Sequence, residues 1–350
     1  MKALVIHRVA PAGSPAADSI RLVTDWPDPP APGPGQALVR TLAAALNHLD
    51  LWVVRGVPGL DLKYPRISGS DACGEVERVG PGVDPSWVGK RVLLRASIEK
   101  PRTPLPGDSP SADEVPDYEL IGEHYHGTLC ERFLAPVANI CPVPNDTDPV
   151  PAAAFGLTFL TAYSMVVTKA AIRPGQSVLV TGIGGGVAVA AMAIAKLVGC
   201  PVVVTSRQQW KLDRARELGA DLGILDQGQD WSKQVRDWTG KRGVDLAVDS
   251  SGKATHIKCI KSLARGGTYV TPGCTSGPDA VTDLARIFWN QLRILGSTMG
   301  SAAEFAEVVS LFRARKLAPV VDKVFPAAQG GEAYARLEAA EQFGKIVVAF

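Results

Sequence analysis

The stretch SVLVTGIGGGVAVAAMAIAKLVGCPVVVTSR, residues 177–207, constrains the fold of this chain more than any other. An apolar run at 178–180 reads as a buried strand. It breaks into Gly182, Gly184, Gly185 and Gly186, enters an Ala-rich helix at Val187, and returns to an apolar strand at 202–204. Strand, glycine loop, helix and strand form one βαβ unit. Its loop lets backbone approach a phosphate, and its helix N-terminus offers unpaired N–H groups to that anion.

The rest of the chain supplies two domains' worth of context. Up to about residue 144 the pattern is short β-runs with frequent turns, at 3–6, 37–46, 74–79, 91–94 and 128–134, punctuated by Gly and Pro. That rhythm predicts a compact, mainly antiparallel β domain. Within it, 99–116 carries five prolines and several charges, and reads as a surface loop or lobe. After residue 151 strands at 177–181, 202–206, 222–225, 246–249, 267–270 and 293–296 alternate with helices, which predicts a doubly wound parallel sheet. A helix at 302–314 and strands at 320–325 and 345–349 follow, and this tail is expected to return to the first domain. The predicted division is 1–157 with 301–350, and 158–300.

The end of the second strand of a dinucleotide fold decides the ribose. An Asp or Glu there accepts hydrogen bonds from the 2′-hydroxyl of NAD and repels a 2′-phosphate. Here the position reads Thr205-Ser206-Arg207, with Lys211 one turn on and no acid before Asp213. Ser206 can donate to a 2′-phosphate, and Arg207 and Lys211 can neutralise it. NADPH (NADP+) is the expected cofactor. The missing acid also argues against a methyltransferase.

A net charge of +2 and the absence of basic runs give no signal for nucleic acid or for a membrane surface. No apolar stretch has the length of a membrane helix, and the N-terminus is too short in apolar residues for a signal peptide. The six cysteines are dispersed, without a C-x-x-C pair, as expected of reduced residues in a cytoplasmic protein. His124 and His126, at i and i+2, have no evident third ligand, so no metal site is expected there.

Several further segments carry a family resemblance: NHLDLW at 47–52, GSDACGEVERVG at 69–80, LTFLTAY at 157–163, LARGGTYVTPG at 263–273, RILGSTMG at 293–300 and FGKIV at 343–347. With the glycine loop, they make the chain resemble the medium-chain dehydrogenase/reductase superfamily along almost its whole length. Within it, the chain is similar to the zinc-free, quinone oxidoreductase-like branch. The resemblance implies an α/β fold with a GroES-like substrate domain and a Rossmann domain, NADPH as hydride donor, and commonly a homodimer. Where zinc alcohol dehydrogenases hold a catalytic metal by Cys, His and Cys, this chain matches Asn47, Ser70 and Leu157. Those residues cannot supply thiolate or imidazole ligands. The cysteine-bearing structural zinc lobe corresponds to 99–116, which has no cysteine. The family's usual glycine is replaced by Ala188, the smallest change at a position needed for close helix–strand packing.

These readings combine into an NADPH-dependent reductase of a quinone or an α,β-unsaturated carbonyl compound that works without zinc. Charge developing on the substrate oxygen would be met by a hydrogen-bond donor, with Asn47 first in line. Asp50 is expected to fix its loop or act near the nicotinamide, and Thr161 to orient the nicotinamide. The resemblance places His48 near the cofactor pyrophosphate, and Gly273 and Lys345 among the cofactor-binding positions. Trp52, Leu157, Phe159 and Trp289 are the expected apolar substrate pocket. The competing reading is an NADPH-binding sensor or partner-binding module with little catalysis.

Overall fold

Six parallel strands form the sheet that the glycine loop belongs to, in the spatial order 222–225, 202–206, 178–180, 244–248, 263–271, 293–296. Counted from Val178–Val180, that is 3-2-1-4-5-6, the dinucleotide-binding arrangement. The computed structural model describes residues 1–100 and 117–350. The proline-rich lobe expected at 99–116 therefore lies almost wholly outside the described residues.

The chain divides into two units, Met1–Leu157 with Val321–Phe350, and Thr158–Val320. The second unit thus runs to Val320, whereas the sequence pattern placed its end at 300. The reason is the helix Ala302–Arg313, which belongs to the second unit's own packing. Its Glu307 accepts a hydrogen bond from the Tyr163 hydroxyl at 2.8 Å. Gly300, just before it, lies so close to Leu160 that a Cβ would stand 2.6 Å from Leu160 Cδ1. Ser301 caps the helix through Glu304 N–H at 3.2 Å, and Glu304 returns the bond to Ser301 N–H at 2.6 Å.

The first unit is mainly antiparallel β. A central strand, Gln36–Ala45, pairs with Ala72–Val79, Arg132–Pro136 and the C-terminal strand Lys345–Ala349. Val321–Pro326 adds to the last of these in parallel. The two strands of the tail therefore do return to the β unit, as expected. Ala3–Ile6 heads a separate three-stranded sheet with Ile20–Val23 and Arg66–Ile67.

In the second unit, Leu179, Val203 and Ala247 of neighbouring strands are buried with Trp231, Val235, Cys259 and Ile260 from the covering helices. Parallel strands covered on both faces read as continuous apolar runs, which is why these were visible in the sequence. The helix Gly156–Tyr163 continues into a π-helical segment, Ser164–Lys169, that no sequence signal marked. Among the described residues, no helix is long and apolar enough to cross a membrane.

Candidate functional site

In the second unit, Val178–Val180 ends at Thr181 and the chain turns through Gly182 and Gly184 with φ of +64° and +110°. Only glycine adopts the second of these without strain. Gly185 is the extended N-cap of a 13-residue helix, Gly186–Val198, and Val187 lies in its first turn. Ile183 N–H donates to Thr205 O at 2.8 Å, tying the loop to the next strand. Gly184 also faces Lys211: a Cβ there would stand 2.6 Å from Lys211 Cδ and 3.1 Å from Nζ. The Lys211 ammonium, 5.3 Å from the Trp210 ring centre in a buried residue, thus lies beside the glycine loop as well as after the second strand.

Ser206 is the last residue of the strand Val202–Ser206, and Arg207 follows it. Ser206 is buried, its Oγ accepting Gln208 N–H at 3.2 Å, and Arg207 is exposed immediately after it. Gly273, half-buried beyond Leu263–Thr271, exchanges hydrogen bonds with the Thr271 hydroxyl.

One organising residue of this sheet edge escaped the sequence reading. Asp249, fully buried after Val244–Val248, accepts hydrogen bonds from Thr181 Oγ1 at 2.6 Å, Thr255 Oγ1 at 2.8 Å and Tyr269 OH at 3.0 Å. Ser251 N–H adds a fourth at 3.0 Å. Strands one and four flank the point where strand order reverses, and a ligand binds there in sheets of this order. The only sequence signal was an acid ending an apolar run.

In the first unit, Asn47 precedes the short helix His48–Arg55. Asp50 in its first turn accepts Asn47 N–H at 2.7 Å and Gly69 N–H at 2.7 Å. Both carboxylate oxygens are thereby committed to backbone, so of the two roles expected of Asp50 its contacts serve the fixing of the loop and not a catalytic one. Burial lifts its carboxyl to about 6, against the two amides and the Lys345 ammonium, which lower it. The Asn47 side chain meets Asp71 and Lys345. Its Nδ2 donates to Asp71 Oδ2 at 2.9 Å, and its Oδ1 accepts from Lys345 Nζ. Lys345 Nζ also donates to Asp71 Oδ2 at 2.8 Å, and Leu157 N–H donates to Asp71 Oδ1 at 2.6 Å. Lys345 therefore does not offer a solvent-facing cation to a cofactor: its side chain is 4% exposed and held by an internal carboxylate. Ser70 Oγ is buried with no hydrogen-bond partner among the described residues.

The remaining expected residues separate. His48 is exposed and packs edge-on against the half-buried Trp52, ring centres 5.4 Å apart. Thr161 is buried, its Oγ1 3.9 Å from Met299 Sδ. Phe159 is a core residue, 1% exposed, rather than a pocket wall. Trp289 is 71% exposed on a helix, Leu284–Asn290, that buries none of its residues, and within its unit it lines only an open surface groove with Asp283, Arg286 and Phe288 among the described residues. His124 and His126 each use Nδ1 to accept a backbone N–H, from Leu120 and Ile67, so both are turn-bracing residues.

Comparison with known proteins agrees with this architecture. Residues 33–145 match the model of the alcohol dehydrogenase GroES-like domain, and 186–314 that of the zinc-binding dehydrogenase family. The chain is 30% identical over 340 residues to the zinc-type alcohol dehydrogenase-like protein YogA of Leptosphaeria maculans, covering 91% of this chain and 92% of that one. It is 29% identical to a 2-haloacrylate reductase of a Burkholderia species, covering 91% and 92% of the two chains. A crystal structure of an NAD-dependent alcohol dehydrogenase, 38% identical, superposes with a TM-score of 0.89 over the whole of both chains. The fold and site are those of a GroES-like domain joined to a Rossmann-type nucleotide-binding domain. The chain belongs to the medium-chain dehydrogenase/reductase superfamily.

Asp50 makes a prediction about stability. A carboxyl raised to about 6 in the fold holds its proton where the unfolded chain has lost it, so its contribution to stability falls as pH rises from about 4 to about 6. The stability difference between the natural protein and Asp50→Asn, from urea titrations, should decrease by on the order of 2 kcal/mol over that window. A difference that stays level or grows with pH would show that Asp50 is not raised.

Proposed function

We propose that this chain is an NADPH-dependent oxidoreductase that reduces an α,β-unsaturated carbonyl compound or a quinone by hydride transfer, with no catalytic zinc. The observation carrying this reading is the buried cluster of Asn47, Asp71 and Lys345. The resemblance sets three metal ligands at Asn47, Ser70 and Leu157. An amide, a hydroxyl and a hydrocarbon are poor ligands for a zinc that takes thiolate, imidazole and carboxylate. An ammonium bonded to the same Asn47 and Asp71 adds a positive charge that opposes a divalent cation. The residues present do not fit the metal.

They do fit a dinucleotide. Gly182 and Gly184–Gly186 leave room for a pyrophosphate at a helix N-terminus, and Lys211 supplies charge beside it. Ser206 and Arg207 are the groups for a 2′-phosphate. The nicotinamide supplies a hydride when bound. Hydride addition to an electrophilic carbon would build negative charge on the substrate oxygen, which Asn47 Nδ2–H would stabilise, and a proton from water would complete the reduction. The 2-haloacrylate reductase supports an activated alkene as acceptor, since its named substrate is an α,β-unsaturated acid. The NAD-dependent relative favours the other nucleotide, and the absence of an acid after Val202–Ser206 is what favours NADPH here.

NADPH absorbance followed with benzoquinone and medium-chain enals tests the activity. We expect turnover that Asn47→Ala lowers about 100-fold in kcat, the effect of removing one preorganised donor, with NADPH affinity kept. Tight NADPH binding without consumption of any acceptor would support the sensor reading instead. Fluorescence titration tests the nucleotide: Arg207→Ala should reduce the preference for NADPH over NADH about 10-fold or more. An unchanged ratio would remove Arg207 from the 2′-phosphate site.

We also propose a homodimer, with reducing cytoplasm as its setting. Val281, Leu284, Phe288 and Trp289 are each at least 70% exposed, and the adjacent strand Arg293–Gly296 is an open sheet edge. A second copy pairing edge to edge would cover both. Sedimentation should give a dimer for the natural protein and a monomer for the double variant Phe288→Glu, Trp289→Lys; a monomer for both would refute the interface.

A further inference from the structure

Asn47, Asp71 and Lys345 come from distant parts of the chain, and all three side chains are buried. Lys345 Nζ donates to Asn47 Oδ1 and to Asp71 Oδ2, and Asn47 Nδ2 donates to that same Asp71 oxygen. The three contacts close a ring. A carboxamide has a donor end and an acceptor end, so the ring admits one orientation of Asn47. Turning the amide over would set its NH2 against the ammonium and its oxygen against the carboxylate. One Nδ2 hydrogen is thereby spent on Asp71, while the other has a fixed direction and no partner among the described residues. The ammonium at Oδ1 also draws electron density from the carboxamide, which makes the remaining N–H a stronger donor.

Asp71 is itself anchored. Its Oδ1 accepts Leu157 N–H at 2.6 Å, and Gly156 lets the backbone come this near, since a Cβ there would stand 2.7 Å from the same oxygen. The two N–H bonds that Lys345 makes are both internal, although its place in the FGKIV segment resembles a cofactor-binding position. A buried ion pair is in itself weak evidence of stabilisation, so its place in this ring invites a role beyond folding.

Resting on the reading that Asn47 donates to the substrate oxygen, we infer that Lys345 and Asp71 are positioning residues that lock and polarise the Asn47 carboxamide. Lys345 acts on the reaction through Asn47 and not by holding the cofactor. In place of a bound metal, the site uses an internal cation at one remove from the substrate.

The test combines steady-state kinetics with a spectrum that needs no turnover. Lys345→Met should lower kcat about 10- to 100-fold while KM and the NADPH dissociation constant stay within about twofold. Lys345→Arg, which keeps the charge, should recover part of the loss. Adding Lys345→Met to Asn47→Ala should cause no further fall, because the two act as one unit. Should Lys345→Met fail to fold, Lys345→Met with Asp71→Asn leaves no unpaired buried charge and carries the same expectation.

In protein labelled at asparagine, the side-chain amides of Asn47, Asn139, Asn145 and Asn290 are observed together. The two Asn47 amide protons should be well separated and slow to exchange, and both properties should be lost on Lys345→Met. A rise in the NADPH dissociation constant with kcat unchanged at saturation would overturn the inference. So would additive losses with Asn47→Ala, or an Asn47 amide signal indifferent to Lys345. Full activity in Asn47→Ala would instead refute the donor role of Asn47, and the amide signal would then judge the lock by itself.

Discussion

The ion pair between Asp71 and Lys345 is the interaction on which the first unit's organisation depends. Lys345 opens the C-terminal strand Lys345–Ala349, and Asp71 immediately precedes Ala72–Val79. Both strands pair with Gln36–Ala45, on opposite sides of it. Either charge left alone in the interior would be strongly unfavourable, so the pair demands that the C-terminal strand dock in one register. That register sets Val347 opposite Ala45 and Val348 opposite Ala44. A slip of one residue would turn Lys345 to the other face and leave Asp71 uncompensated. The loop bearing Asn47, the strand start at Asp71 and the backbone of Leu157 are thereby held by a residue near the end of the chain.

The second unit uses the same device with a different partner set. Among the described residues Asp249 makes no ion pair; it accepts from hydroxyls of Thr181, Thr255 and Tyr269 and from a backbone N–H group. Thr181 immediately precedes Gly182, so the carboxylate fixes the start of the glycine loop against the neighbouring strand. Burial, reinforced by Asp249, pushes the Tyr269 hydroxyl pKa upward, which keeps it a donor. The loop itself needs φ values that glycine supplies cheaply, and its stiffness comes from the carboxylate below it.

What was legible in the sequence follows from which physical signals are local. Parallel strands buried on both faces appear as apolar runs, and the glycine loop appears as a break between them, so the order of the second unit could be read almost strand by strand. The residues at the ends of those strands were also located correctly, including Ser206 and Arg207. Contacts between distant positions carry no periodicity. The bond from Lys345 to Asp71 spans 274 residues, and nothing near either one names the other. Asp249 was hidden for the same reason. Trp289 and Phe159 failed in opposite directions: each is a large ring in an apolar segment, and only packing reveals that one is exposed and the other sealed.

Two fully buried acids of the first unit are held by different kinds of partner. Asp50 and Asp71 are both fully buried, and one ammonium, Lys345, makes its bonds to Asp71. Asp50 receives backbone amides in place of a cation, and Asp71 raises it further as a like charge. The two amides and the Lys345 charge offset only part of the desolvation, so the Asp50 carboxyl is lifted to about 6. A divalent metal among these groups would favour the anionic form of both acids. A single ammonium satisfies one, and the second is left as a group that changes protonation just below neutral pH inside the loop that carries Asn47. The division of labour is therefore set by a one-charge supply: Asp71 is the permanent partner that aims the amide, and Asp50 the clamp that holds its backbone.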